Sequence, residues 1–161
     1  MGERTRTYTW SEPLPVPASG AASGREYLEA MVEGRFPQPP IGATLGFRLV
    51  EVGDGHAVFE GEASEFVLNP LGVVHGGLAL TLVDSAAGCA AQTLLPEGAG
   101  YTTLETKANF VRAILPDTGL LRCTGRALHV GRTIATAEAR VEDSDGRLYA
   151  HGTSTLLVVG P

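Results

Sequence analysis

"NPLGVVHGGLALTLVDSAAGCAAQTLLP", residues 69–96, is the stretch on which the fold turns. Between Phe66 and Pro96 the only side chain with a fixed charge is Asp84. Asn69-Pro70-Leu71-Gly72 carries turn chemistry, with the proline setting φ and Gly72 tolerating a positive one. From Gly76 to Leu95 the segment reads as one long helix with apolar residues on nearly every side. Such a helix has to be enclosed on most sides by other structure. Its length, about 20 residues, would also fit a bilayer. Against a span, a central aspartate costs roughly 3 kcal/mol on insertion scales, the segment is rich in Ala and Gly, and no Lys/Arg cluster flanks it. It reads as a buried helix, not a membrane span.

Period-two patterns on both sides of the helix supply the enclosure. Residues 43–53 (ATLGFRLVEVG) and 56–63 (HAVFEGEA) are strand-like and meet at the turn Gly53-Asp54-Gly55. Four more strand patterns follow at 101–114, 119–131, 132–143 and 147–159, the last two joined by Asp143-Ser144-Asp145-Gly146. In the first of these, strict alternation puts Leu104, Thr106, Ala108 and Phe110 on one face and Thr103, Glu105, Lys107 and Asn109 on the other. Upstream, Ser23 and Glu26 form a capping box, and Tyr27, Leu28, Met31 and Val32 predict a helix to Arg35, ended by Pro37, Pro39 and Pro40. Strands joined by short turns pair antiparallel. The expected fold is therefore α+β, a curved antiparallel sheet wrapped around a long central apolar helix.

Composition bounds the function. A chain of 161 residues fits one domain; residues 1–22, with Pro13, Pro15, Pro17 and Ala18-Ser19-Gly20, read as an arm that drapes over the domain 23–161 or stays mobile. A hydrophobic content of 43% and a charged content of 19% are ordinary for a globular protein. The formal net charge of −6, without a basic run, argues against nucleic-acid binding. Cys89 and Cys123 lie in apolar segments and no secretory leader opens the chain, so a reducing cytoplasm is expected. His56, His75, His129 and His151 are scattered without ligand spacing, and no metal or cofactor is expected. There is no Gly-x-Ser-x-Gly elbow and no dinucleotide or phosphate-loop fingerprint.

His75-Gly76-Gly77 opens the long helix, where free backbone N–H groups and the helix dipole suit an oxyanion or a polarised carbonyl. Asp84 lies eight residues beyond Gly76, roughly 12 Å along the axis. One helix cannot bring both to the same atom. Either the two serve different purposes, or a second copy of the chain, antiparallel across a two-fold axis, supplies the missing half. Taken alone, Asp84 also fits a structural carboxylate that caps a helix or pairs with an arginine.

The core Asn-x-x-Gly-x-x-His-Gly-Gly with an Asp nine residues after the His, followed by 101–114 and 129–158, resembles the hotdog-fold acyl-CoA thioesterases of the PaaI type from about Pro40 to Val159. The resemblance implies that Asp84 is the nucleophile or the general base for water and that the Gly76 N–H polarises the thioester carbonyl. It implies that Asn69 and His75 orient the carbonyl or the water, and that Thr103, or Thr102 in the other register, is the hydroxyl beside the carboxylate. It also assigns Gly77, and more loosely Gly131, Arg132 and Thr133, to substrate binding, the last three near the CoA pantetheine or phosphates. Sites of this family form between two subunits, so a homodimer at least, and a homotetramer by likeness, is implied. The substrate would be an aryl- or medium-chain acyl-CoA. Two alternatives remain at this level: an enoyl-CoA hydratase-type hotdog enzyme and a non-catalytic acyl-CoA-binding module.

Overall fold

The computed structural model describes residues 2–16 and 19–160; Pro17 and Ala18 of the expected arm lie outside the described residues. One half of the capping box forms as the sequence predicts, with Ser23 Oγ accepting from the Glu26 N–H at 3.1 Å; the Glu26 carboxylate reaches one residue further back and accepts from the Ala22 N–H at 2.7 Å. The helix it starts, α1 (Gly24–Val32), stops short of Arg35. Gly34 adopts φ +76°, and the Arg35 N–H turns back to the Ala30 carbonyl at 2.8 Å, which closes the helix.

A second helix, α2 (Pro40–Leu45), occupies residues that the sequence pattern assigned partly to a strand. Pro39 and Pro40 preset φ for a helix start, and Gly46 at φ +79° ends it after six residues. Then come β1 (Phe47–Gly53), β2 (His56–Glu62), a single 3-10 turn (Glu65–Val67), α3 (Gly76–Gln92), β3 (Gly100–Phe110), β4 (Leu120–Val130), β5 (Ile134–Asp143) and β6 (Leu148–Val159).

The six strands make one antiparallel sheet in the order β1-β2-β4-β5-β6-β3. β3 thus leaves α3, crosses to the far edge and pairs with β6, while β2 and β4 close up beside one another. α3 packs against β2, β4, β5, β6 and β3. Leu78, Leu82, Val83, Ala86, Ala87 and Ala90 form its buried face. Small residues let the sheet come close. An added Cβ on Gly125 of β4 would sit 2.1 Å from the Ala86 carbonyl oxygen, inside any allowed contact.

The sheet encloses the helix on most sides, as its composition predicts, and leaves one flank open. Leu80 is 38% exposed, and Thr81, Asp84, Ser85 and Cys89 on the same flank are only partly covered. Among the described residues no helix is long and apolar enough to cross a membrane.

The arm lies on the domain through named contacts. Arg6 donates to the Thr44 and Ala43 carbonyls at 2.6 and 2.7 Å, and its guanidinium stacks on the Phe66 ring. Further along, the Leu14 carbonyl accepts from the Tyr27 hydroxyl at 2.6 Å.

The turn between β5 and β6 is held by Asp143. Its Oδ1 accepts from the Arg147 and Asp145 N–H groups at 2.9 and 3.0 Å, and its Oδ2 accepts from the Tyr149 hydroxyl at 3.0 Å. The Arg147 backbone bond, reinforced by the others, holds this carboxyl below its usual range. A depressed folded value stabilises the fold above the unfolded value, about 3.9, and that contribution is lost as pH falls through the folded one. Asp143→Asn is therefore less stable than wild type at neutral pH, and the gap narrows below about pH 4 in denaturant titrations. Gly125→Ala forces α3 off the sheet and costs on the order of 2 kcal/mol or more, read as a lowered melting temperature.

Candidate active site

The site grows from the way β3 runs along the open flank of α3. The two are antiparallel: an added Cβ on Gly88 would meet the Tyr101 hydroxyl, Asp84 meets Thr103 and Thr106, and an added Cβ on Gly76 would meet the Phe110 ring at 3.3 Å. These three contacts run along the helix in reverse order to the strand.

The strict alternation expected along β3 is broken. Thr103 pairs with Leu156 and Glu105 with Thr155, so Leu104 is an extra residue, a β-bulge. The bulge resets the faces: Tyr101, Thr103, Thr106 and Ala108 are partly buried, while Leu104 is 57% exposed. Two threonines that alternation would put on opposite faces therefore reach one carboxylate.

Asp84 Oδ1 accepts from Thr106 Oγ1 at 2.8 Å and from Thr103 Oγ1 at 3.0 Å. Thr106 Oγ1 also lies 2.8 Å from Ser154 Oγ, whose side chain is buried on β6. A hydroxyl has one proton to give. With that of Thr106 spent on Asp84, Ser154 is the donor to Thr106. Asp84 Oδ2 accepts no hydrogen bond among the described residues and is not sealed from solvent. One oxygen is oriented by two hydroxyls, and the other is free.

At the helix start, His75 is the N-cap, and its Nδ1 accepts from the Gly77 N–H at 2.8 Å. That places the proton of the neutral ring on Nε2. An added Cβ on Gly77 would lie 2.9 Å from this Nδ1, so the glycine makes room for the histidine ring of its own chain. The Gly76 N–H carries no hydrogen bond among the described residues. Asn69 Oδ1 accepts from the Leu71 N–H at 2.9 Å and from the Val73 N–H at 3.4 Å, which folds the loop that delivers His75.

The structure therefore brings Asp84 and Thr103 together and gathers Asn69, His75, Gly76 and Gly77 at the N-terminal end of α3. It sets Gly131, Arg132 and Thr133 in the β4–β5 turn, beyond the other end, where the adjoining Ala135 packs with Ala91 and Leu156. Thr102, the other register, is exposed. Thr106 and Ser154, which join Asp84 through hydroxyl hydrogen bonds, are candidate site residues that sequence reasoning missed. Among the described residues no three His, Cys, Asp or Glu side chains gather as metal ligands would.

Asp84 and Ser85 line a cavity of 150 Å³ walled by Gln38, Pro39, Phe59, Cys89 and Tyr101 among others. A carboxylate with one free oxygen on such a cavity can take a proton from water or attack an electrophilic carbonyl.

Residues 71–150 match the thioesterase superfamily. The chain is 31% identical to 1,4-dihydroxy-2-naphthoyl-CoA hydrolase of Listeria monocytogenes over 116 residues, 71% of this chain and 92% of that one. A thioesterase family protein from Silicibacter pomeroyi superposes with a TM-score of 0.73 at 28% identity, covering 83% of this chain and 99% of the other. The phenylacetic acid degradation protein PaaI from Thermus thermophilus does so with a TM-score of 0.66 at 27% identity, covering 74% and 98%. With the six-stranded sheet, the central helix and these likenesses in hand, the chain belongs to the thioesterase superfamily, as a PaaI-like thioester hydrolase built on the hotdog fold.

Proposed function

We propose that this enzyme hydrolyses acyl-CoA thioesters to the free acid and CoA, with Asp84 as the general base or nucleophile. The observation that carries the reading is the asymmetry of the Asp84 carboxylate. Two threonine hydroxyls hold Oδ1, Oδ2 accepts no hydrogen bond among the described residues, and the side chain lines a cavity. A purely structural carboxylate would have both oxygens engaged, and a binding module gains nothing from a partly buried charge with a free oxygen.

In the general-base course, Oδ2 takes a proton from water as the water oxygen bonds to the thioester carbon. The carbonyl oxygen becomes an oxyanion, and its collapse expels the CoA thiolate, which recovers the proton. In the nucleophilic course, Oδ2 itself forms the bond, the thiolate leaves, and water then cleaves the mixed anhydride. Both need a donor at the developing oxyanion. The free Gly76 N–H at the positive end of α3 fits that role, with the His75 Nε2–H beside it as a second donor to the carbonyl or the water.

Gly76 and Asp84 of one chain stand roughly 12 Å apart on one straight helix. A second copy related by a two-fold axis supplies the partner group, so the working form is at least a dimer. The partly open flank of α3 and the exposed edge of β3, with Leu104 and Phe110 at 57% and 55% exposure, are the surfaces that such a copy would cover. Arg132, exposed in the β4–β5 turn with Gly131 and Thr133, is our candidate for the CoA phosphates. The name of the Listeria relative, an aryl-CoA hydrolase, favours CoA as the leaving group.

Release of free CoA thiol from a panel of aryl- and fatty acyl-CoAs tests the reading. Asp84→Asn lowers turnover at least about 100-fold. Gly76→Pro, read against Gly76→Ala as the control for a Cβ that meets the Phe110 ring, probes the oxyanion donor: it removes the N–H at a helix position where proline is favoured, and His75 already has φ −63° and ψ 134°, the backbone that precedes a proline. It lowers kcat by about 100-fold or more with the helix retained in circular dichroism. Thr106→Val, with Thr103→Val beside it, lowers kcat about tenfold, the scale of one hydrogen bond to a charged group. Undiminished turnover in Asp84→Asn would remove the carboxylate from the mechanism.

A further inference from the structure

Behind the small cavity at Asp84 lies a larger one of 470 Å³. The two share four wall residues, Pro39, Phe59, Cys89 and Tyr101, so the larger space adjoins the Asp84 cavity across that common wall. The outer wall comes from α1 through Tyr27, Leu28 and Met31, and from the arm through Val16. None of these outer-wall residues lies in the segment 71–150 that matches the superfamily. The chamber is therefore finished by parts of this chain that the family match does not include.

Its chemistry is legible. No Lys, Arg, Asp or Glu lines it. Burial pushes the Cys89 thiol up to about 12 and raises the Tyr101 phenol well above its usual range, so both stay neutral at physiological pH. The Tyr27 hydroxyl is tied to the Leu14 carbonyl, and the Gln92 amide donates to the Ala99 carbonyl at 3.1 Å. A charged group would enter without a partner, at a cost that excludes it. Depth follows from α3: Asp84 and Gln92, the latter at the far wall, are eight residues apart, roughly 12 Å along the helix.

We propose, on the footing of the thioesterase reading above, that this chamber receives the acyl group and that Met31, Tyr27 and Val16 set the largest one accepted. An extended chain advances about 1.2 Å per bond, so roughly 12 Å holds about eight to ten carbons. The volume lies in the range that encloses a compact apolar ligand, a two-ring aromatic acyl group included. The substrate class is a neutral, apolar acyl-CoA of that size. Short acyl groups leave the chamber empty and longer ones meet α1 and the arm.

The test uses the full chain with straight-chain acyl-CoAs from butyryl to hexadecanoyl. Wild type should peak in kcat/KM at about eight to ten carbons. Met31→Trp, and separately Val16→Trp, fill the chamber from two different elements. Each should lower kcat/KM for decanoyl-CoA by about tenfold or more while butyryl-CoA stays within about twofold. Two variants keep the test open if one of them does not fold. Asp84-dependent hydrolysis with an unchanged length profile in both variants overturns the chamber assignment and leaves the thioesterase reading standing. If wild type hydrolyses no acyl-CoA, that reading fails, and the chamber is judged by calorimetry with the non-hydrolysable thioether of decanoyl-CoA. Tight binding that Met31→Trp abolishes supports the chamber; equal binding by both overturns it.

Discussion

A carboxylate on the flank of an apolar helix, gripped on one oxygen by two hydroxyls from the neighbouring strand, is the constraint around which this molecule is arranged. Asp84 can sit on α3 only because β3 runs antiparallel beside it and offers Thr103 and Thr106 at hydrogen-bonding distance. That in turn requires the bulge at Leu104, since an unbroken strand would turn one of the two threonines away. Ser154 on β6 extends the same chain of hydroxyls, so the position of the carboxylate depends on the pairing of the edge strand β3 with β6.

The rest of the fold presses the helix into that position. Leu82, Val83, Ala86 and Ala90 fill the concave side of the sheet, and Gly125 lets β4 approach the backbone of α3. What the sheet leaves open is the flank with Leu80, Thr81, Asp84 and Ser85. The apolar packing thus does two things at once: it fixes the helix axis and leaves accessible the flank that carries Thr81, Asp84 and Ser85, with Leu80 beside them. The proposed oxyanion donor at Gly76 and the proposed base at Asp84 sit on the same rigid rod, too far apart to share an atom. In our account this distance ties activity to assembly.

Much of this was legible in the sequence, for stated reasons. A run with one charge in an apolar helix, bracketed by period-two segments, leads to a sheet wrapped around a helix, and Ser23 caps α1 as read. Asp84 and Thr103 were identified and do meet. Other features were not legible. The early stop of α1 depends on the positive φ of Gly34, and the helix at 40–45 depends on two prolines that read equally well as a breaker. Thr106 was hidden because a bulge leaves no mark in an alternating sequence: Leu104 looks like an inward residue until the partner strand shows that it has no mate. Gly77 looked like a gap for a ligand, yet the room it leaves is taken by the His75 ring of its own chain. The chamber behind Tyr101 is built from residues scattered between Val16 and Gly160, and no local pattern could have joined them.

The most direct test of the central claim, that one chain supplies the base and its partner the oxyanion donor, is a subunit-mixing assay. Asp84→Asn and Gly76→Pro proteins are each purified, unfolded together in equal amounts, refolded and assayed against the best acyl-CoA. Half the dimers pair one of each, and each such dimer holds one site with both groups intact, so roughly a quarter of wild-type activity should return. No recovery in refolded mixed dimers would contradict the account, because it would mean that both groups act within one chain or that one of them does not act at all.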